Sequence, residues 1–336
     1  MDFTHLNTLL DRLPARLRHP MLRPEYIYIM AGQYQNAEAD FFLFEQQGEF
    51  FYHPFIIFST SLNGREVKDI ESAYGFGGPI SSSLNSAFIK SAQQAYKAYC
   101  IKKGILVEFI RFSGCLKNDV FYDGDTYENR SVVAVDLTLE PVTSQIQRRT
   151  RSAIKKATRD EVEVIWSKEP HHVEAFIDLY YESMKRLAAD AFYFFSRDTL
   201  KNLVALTQCK LALACYQGEI VAAASFFADG DFMEYHLSAN NQQGQKVNAT
   251  TLIIANAMQK GAEQGMKYLH LGGGTSACEN DPLLRFKMLF SKNLKKYVIG
   301  NQVFNGQTYQ ELKQYALQPD SGINPAYLNR VIFYRE

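Results

Sequence analysis

One order of turn, helix and stop signals occurs twice in this chain, and that repetition limits what it can fold into. Residues 41–45 (FFLFE) and 49–58 (EFFYHPFIIF) are apolar and aromatic and flank Gln47-Gly48, which reads as a two-residue hairpin loop. A Gly-rich stretch follows. A helix then starts at the polar pair Asn85-Ser86 and runs to about Lys103, where Gly104 stops it; residues 105–112 (ILVEFIRF) read as a buried strand. The second half runs the same way. Residues 211–216 (LALACY) and 219–227 (EIVAAASFF) flank Gln217-Gly218, and residues 231–238 (DFMEYHLS) follow Asp229-Gly230. A helix runs from Asn248 to about Gln264, Gly265 caps it, and residues 267–271 (KYLHL) form the next strand. Two more helices precede the second hairpin, one over residues 171–188 and one capped by Ser196. The expected class is α/β (α+β), with two tandem domains whose mixed, mainly antiparallel sheets are flanked by helices. The pattern alone leaves another mixed α/β pair open.

A length of 336 residues fits two domains, expected at 1–138 and 139–336. Hydrophobic residues at 46% and charged residues at 21% describe a folded chain. Thirty-six basic and 36 acidic side chains cancel, which removes any global attraction to nucleic acid or anionic membrane and leaves only local patches. The five cysteines, Cys100, Cys115, Cys209, Cys215 and Cys278, form no CxxC or Cys/His cluster, so reduced thiols are expected rather than a disulfide framework. No metal-ligand spacing is present, and His171-His172 lack a partner one turn on. The opening residues do not read as a signal peptide, and no apolar run approaches the ~18–20 residues of a membrane span. The expectation is a cytoplasmic protein that can meet a membrane-bound substrate only peripherally.

Several constellations carry chemistry. Strict alternation along residues 231–238 would put Phe232, Glu234, His236 and Ser238 on one face, where Glu234 or His236 could take a proton from an attacking amine; a polar strand face paired with its neighbours is an equal reading. Asp281 and Pro282 open a helix whose apolar stripe is Leu283, Phe286 and Phe290, with Lys287 at its edge. A lysine there can stabilise a developing oxyanion, or merely cover apolar surface with its stem. Residues 147–159 (QRRTRSAIKKATR) hold six basic side chains and no acid. On a helix Arg148, Arg151, Lys155 and Arg159 share a face that suits a nucleotide diphosphate, a lipid-linked pyrophosphate or a tRNA backbone, or is simply solvated. Tyr74, Gly77 and Gly78 lie in an aromatic, Gly-rich loop closed by Pro79, which can admit a ligand to the backbone or can be a stiff connector. His270 precedes three glycines at a strand end, Tyr180 and Arg186 lie on one helix, and Asn248 opens another.

Five strings in order, DIESAYGFGGP (69–79), LYYESMKRLAADAFYF (179–194), YHLSA (235–239), HLGGG (270–274) and FKMLFS (286–291), resemble the Fem aminoacyltransferases and their GNAT-like relatives, found with peptidoglycan and surface-polysaccharide synthesis. The resemblance spans residues 25–310. It implies tandem GNAT-like acetyltransferase domains and acyl transfer to an amine of a nucleotide- or lipid-linked sugar precursor. The donor would be aminoacyl-tRNA or acetyl-CoA, with no tightly bound cofactor. Phe286 and Lys287 would serve the transfer step, and Tyr74, Gly77 and Gly78 the acceptor. Two departures stand out. There is no room for the long helical insertion of some Fem enzymes. Residues 241–246 (NQQGQK) also break the Gln/Arg-x-x-Gly-x-Gly/Ala pattern of the GNAT cofactor loop at its first and last positions. The rival readings are a non-catalytic glycan-precursor module and an RNA-binding module.

Overall fold

Both Gln-Gly pairs form the turns their chemistry favours. Gln47 and Gly48 have φ of 53° and 84°, and Gln217 and Gly218 have 51° and 82°. Two successive left-handed residues match the twist of the strands they join, and each loop closes directly, Gln46 opposite Glu49 and Tyr216 opposite Glu219. The computed structural model describes every residue except 277, 279 and 336. In chain order its main elements are α1 (Thr4–Asp11), α2 (Pro24–Ala31), β1 (Ala37–Gln46), β2 (Glu49–Leu62), β3 (Arg65–Glu71), β4 (Ile80–Ser81), α3 (Ser86–Lys103), β5 (Ile105–Phe112) and β6 (Asp125–Asp136). They continue with α4 (Arg148–Arg159), β7 (Glu163–Trp166), α5 (Pro170–Arg186), α6 (Arg197–Ala205), β8 (Cys209–Tyr216), β9 (Glu219–Asp229) and β10 (Phe232–Asn240). The last are α7 (Gln242–Lys246), α8 (Ala249–Glu263), β11 (Tyr268–Gly273), α9 (Pro282–Lys287), β12 (Leu294–Val303) and α10 (Gly306–Ala316).

The chain divides into two discontinuous units. Unit 1 comprises residues 1–13, 21–129 and 297–336, and unit 2 comprises residues 14–20 and 130–296. The sequence reading drew a single cut after residue 138. In the structure the chain instead returns to unit 1 for its last forty residues and lends seven N-terminal residues to unit 2. In unit 1, β1, β2 and β3 pair antiparallel, β3 pairs parallel with β5 across α3, and β5 pairs antiparallel with β12. In unit 2, β8, β9 and β10 pair antiparallel, β10 pairs parallel with β11 across α7 and α8, and β11 pairs antiparallel with β6. Each unit is thus three antiparallel strands, a helical crossover and a fourth strand parallel to the third. This is the duplicated, mainly antiparallel α/β architecture expected from the sequence.

Local chemistry sets the helix ends. The Asn85 side chain accepts from the backbone N–H of Ala87 at 2.9 Å and of Phe88 at 3.3 Å, and Gly104 closes α3 at φ 73°. Ser196 accepts from Thr199 N–H at 3.0 Å at the start of α6. In unit 2, α8 lays Ile253, Ile254, Ala257 and Met258 into a core shared with Ala212, Ala214, Ala222, Ala224, Met233 and Leu269. Full burial of an Ile or Met side chain contributes roughly 1.5–3 kcal/mol, and the alanines of β8 and β9 leave α8 room to approach. The C-terminal segment begins at Pro325. It packs back on its own unit: Ile332, Phe333 and Tyr334 join a core with Leu62, Val67, Leu106 and Leu312. Arg335 reaches Asp69 at 2.7 Å and Glu71 at 2.9 Å, while Glu336 lies outside the described residues.

Residues 14–20 are keyed to the turn between β9 and β10. Asp231 N–H donates to the Ala15 carbonyl at 3.1 Å. Gly230 sits at φ 54°, where a Cβ would lie 2.2 Å from that same carbonyl oxygen. Gly230→Ala combines a left-handed strain with a backbone clash. It is expected to cost about 2 kcal/mol or more, read as a lower denaturant midpoint with an unchanged slope.

Candidate active site

The parallel pair in unit 2 is short. Strand β10 and strand β11 stay in register only from Phe232 opposite Tyr268 to Glu234 opposite His270. Each strand then bulges, β10 between Tyr235 and Leu237 against β9, and β11 between His270 and Gly272 against β6. Bulges bend a strand and re-aim its side chains, and the carboxyl ends of parallel strands are where α/β sheets offer ligand sites. The bulge also interrupts the alternation expected along residues 231–238 at His236.

Glu234 and His270, neighbours on the last rung, bond side chain to side chain at 2.6 Å from Nδ1 to Oε2. The other carboxylate oxygen meets His19 Nε2 at 3.0 Å. All three side chains are essentially inaccessible. Burial by itself raises the Glu234 carboxyl; the His270 charge and the bonds to both imidazoles outweigh it and bring the group to about 2. Glu234 is therefore an ionised carboxylate held on both sides. His236 packs edge-on against Phe227 at 4.9 Å, and burial pushes its imidazole down to about 3, partly opposed by Glu234, so it is neutral at physiological pH.

The three glycines after Leu271 enclose a second group. Lys287 Nζ donates to the Gly273 carbonyl at 2.7 Å, and a Cβ on Gly272 would stand 3.2 Å from that nitrogen. Gly273 lies against the Ser131 carbonyl and Gly274 against the Asp281 carboxyl, where a Cβ would come within 2.8 Å and 2.4 Å respectively. Asp281 organises the turn. One oxygen accepts from the N–H groups of Leu283 and Leu284 at the start of α9. The other accepts from the N–H and hydroxyl groups of both Thr275 and Ser276. Burial raises the Asp281 carboxyl, but these bonds hold it well below the usual carboxylate range. Burial lowers Lys287 to about 8, with Asp281 pulling the other way.

The structure corrects the expected geometry of α9. The helix ends at Lys287 rather than reaching Phe290, and the stripe is rotated: Leu284 and Lys287 are buried while Leu283 is 39% exposed. Lys287 is thus an interior cation, only 8% exposed, and not a residue at the edge of an apolar face. Phe286 packs on Phe290 at 5.6 Å and on the unit 2 core.

The remaining candidates fall in different places. Arg186 donates to Asn240 Oδ1 at 2.9 Å at the end of β10, and its Nη1 is buried with no partner among the described residues. Tyr180 is fully buried with its hydroxyl on the Tyr193 carbonyl at 2.7 Å. Asn248 precedes α8 at φ 58° and makes no side-chain cap. Arg148, Arg151 and Lys155 line the exposed side of α4, opposite buried Thr150 and Ala157, and Arg151 is drawn to the carbonyls of Ser144 and Ile146. The loop of Tyr74, Gly77 and Gly78 belongs to unit 1. There a Cβ on Gly77 would meet Ser72 at 2.7 Å and one on Gly78 would meet Phe112 at 2.4 Å, so packing within the unit already accounts for both glycines. Sequence reasoning missed His19 altogether and saw Asp281 only as a helix cap. Among the described residues no cluster of three or more His, Cys, Asp or Glu could hold a metal, and no helix is long and apolar enough to cross a membrane.

Residues 144–287, which contain both Glu234 and Lys287, match the family model of the acetyltransferase (GNAT) domain. A search of curated proteins gave no significant match. Among solved structures, FemX superposes with a TM-score of 0.72 at 12% identity over 93% of this chain and 98% of its own. L-PGS from Bacillus licheniformis gives 0.58 at 14% identity over 93% and 95%. The C-terminal domain of a putative lysylphosphatidylglycerol synthetase from Agrobacterium fabrum gives 0.55 at 13% identity over 90% and 93%. At these identities the likeness is one of fold, and it extends over nearly the whole chain. Residues 144–287 therefore carry the pattern of an acetyltransferase (GNAT) domain.

Proposed function

We propose that this protein transfers an aminoacyl or acetyl group onto an amine of a cell-envelope precursor, a nucleotide- or lipid-linked sugar, at the face of unit 2 where β10 and β11 part. One observation carries the reading: Lys287, a desolvated ammonium anchored on the Gly273 carbonyl at the end of that strand pair. A fixed positive charge in a water-poor setting stabilises the oxyanion that forms when an amine attacks an acyl carbon. The amine adds directly to the acyl carbonyl, the tetrahedral intermediate expels the donor's oxygen or sulfur, and the amine's proton leaves to a base. Glu234, inaccessible and with both oxygens held by imidazoles, can take that proton only through a relay that begins at His270 or at water beside His236. No covalent enzyme intermediate is needed.

Phosphates of the acceptor or donor fit the exposed basic face of α4 (Arg148, Arg151, Lys155) and the uncompensated Arg186. The packing of residues 241–246 favours aminoacyl-tRNA as donor over acetyl-CoA. Gly244 N–H is already bonded to Asn241 Oδ1 at 2.8 Å, and Gly244 lies against the Val221 carbonyl, where a Cβ would come within 2.2 Å. Its N–H is thus engaged within the protein and the glycine is explained without a phosphate. The motif strings shared with the Fem family support an envelope acceptor reached from the cytoplasmic side, including by peripheral contact with the membrane.

Calorimetry with acetyl-CoA and, separately, with aminoacyl-tRNA tests the donor. Saturable binding of tRNA alone, weakened about tenfold or more in Arg148→Ala/Arg151→Ala and steeply dependent on salt, is the expected result. Saturable acetyl-CoA binding would make the chain an acetyltransferase, and binding of neither would favour a non-catalytic module.

A further inference from the structure

We propose that His19 is a positioning residue for Lys287, acting through Glu234, His270 and the glycine turn that follows. His19 lies in the sequence segment 14–20, 215 residues from Glu234, yet it belongs to unit 2 and is as buried as the residues it touches. The inference rests on the acyl-transfer reading for its consequence, though not for its geometry.

The coupling is short and has little slack. His19 Nε2 and His270 Nδ1 take opposite oxygens of the Glu234 carboxylate, at 3.0 and 2.6 Å, so the carboxylate cannot move toward one without leaving the other. His270 is the last β11 residue in register with β10, and only Leu271 and Gly272 separate it from Gly273, whose carbonyl holds Lys287 Nζ at 2.7 Å. Gly272 is left-handed at φ 75°, and Gly273 is pressed against the Ser131 carbonyl, so a shift of His270 is carried to the Lys287 acceptor rather than absorbed. The seat of His19 is equally fixed. Its ring lies 5.4 Å from that of Phe232, and Ala15 accepts from Asp231 N–H at 3.1 Å. The effect assigned to His19 is on where the lysine is held. A displacement of about 1 Å at a catalytic group can cost up to 100-fold in rate.

The test uses His19→Gln, which keeps a donor toward Glu234, His19→Ala, which removes it, and Arg18→Ala, which disturbs the same segment without touching Glu234. Two readouts are taken on each full-length protein. The first is the pH at which Lys287 is half-modified by formaldehyde and borohydride, followed by mass spectrometry; it needs no substrate. The second is kcat and KM for acyl transfer. His19→Ala is expected to move the half-modification pH upward, toward that of an ordinary lysine, by about one unit, and to lower kcat roughly tenfold with KM little changed. His19→Gln should recover most of both, and Arg18→Ala should match wild type. If His19→Ala proves too unstable to purify, His19→Leu, which also lacks a donor toward Glu234, takes its place with the same upward shift expected. An unchanged Lys287 profile in His19→Gln and His19→Ala, with only the denaturant midpoint lowered, overturns it. Wild-type protein that modifies as described but transfers nothing to any amine refutes the acyl-transfer reading instead, and leaves the coupling measured by the first readout standing.

Discussion

Lys287→Met is expected to lower kcat for acyl transfer by roughly 10²–10³ while the protein stays folded, because it removes a preorganised charge and little of the packing. The stem of Lys287 is interior, and methionine fills a similar volume. A desolvated lysine is itself a cost to the fold. Burial brings its titration down to about 8 from the 10.5 of an ordinary lysine. Between those values the unfolded chain binds the proton and the native chain does not, so wild-type stability should rise as pH climbs from about 8 to about 10.5. Below about 8 both states carry the proton and the penalty is constant. Lys287→Met should lack that rise. Activity should run the other way. If the ammonium form stabilises the oxyanion, the wild-type rate declines as pH passes about 8, whereas a lysine acting as base would give a rate that increases there. Equilibrium denaturation and initial rates across that range check both halves.

The second large effect is expected at Asp281. Asp281→Asn puts an N–H₂ group where one carboxylate oxygen now accepts four hydrogen bonds from Thr275 and Ser276, so donors face donors. Bonds to a charged acceptor contribute about 1.5–3 kcal/mol each, and even partial loss should destabilise unit 2 by at least about 3 kcal/mol. The same substitution removes the negative charge that supports the Lys287 ammonium, so the basic limb of the pH–rate profile should move to lower pH. The wild-type carboxyl titrates below its ordinary value, so its stabilisation is complete above about pH 4 and is lost as pH falls toward the native-state value. Acid unfolding of wild type should therefore be steeper than that of Asp281→Asn, a difference that thermal melts from pH 2 to 6 would resolve.

What could be read from the sequence depended on how local the cause was. The hairpins at Gln47-Gly48 and Gln217-Gly218, the Asn85 and Ser196 caps and the Gly104 stop were legible because the residue at the turn or cap carries the reason for it. The parallel pair followed from the helix between its strands. The faces of α9 were not legible. A six-residue helix is too short for a period to fix its orientation, and Lys287 is buried because a glycine turn earlier in the chain receives it. Alternation along β10 failed at His236 because of a bulge that no residue type there signals. His19 was invisible for a similar reason, since nothing near it in sequence hints at a carboxylate 215 positions on. Gly77 and Gly78 have a packing reason that no local signal carries: a Cβ would meet Ser72 at the first and Phe112 at the second. The single cut after residue 138 assumed contiguous domains, and a terminal apolar segment does not announce which earlier core it will rejoin.

The most direct test is the mass of an amine-bearing, nucleotide-linked sugar–peptide precursor after incubation with the purified protein and a charged tRNA or acetyl-CoA. Addition of one acyl group by wild type, abolished in Lys287→Met at unchanged secondary structure, is the expected result. No mass change with either donor across a panel of such amines, or equal transfer by Lys287→Met, would contradict it.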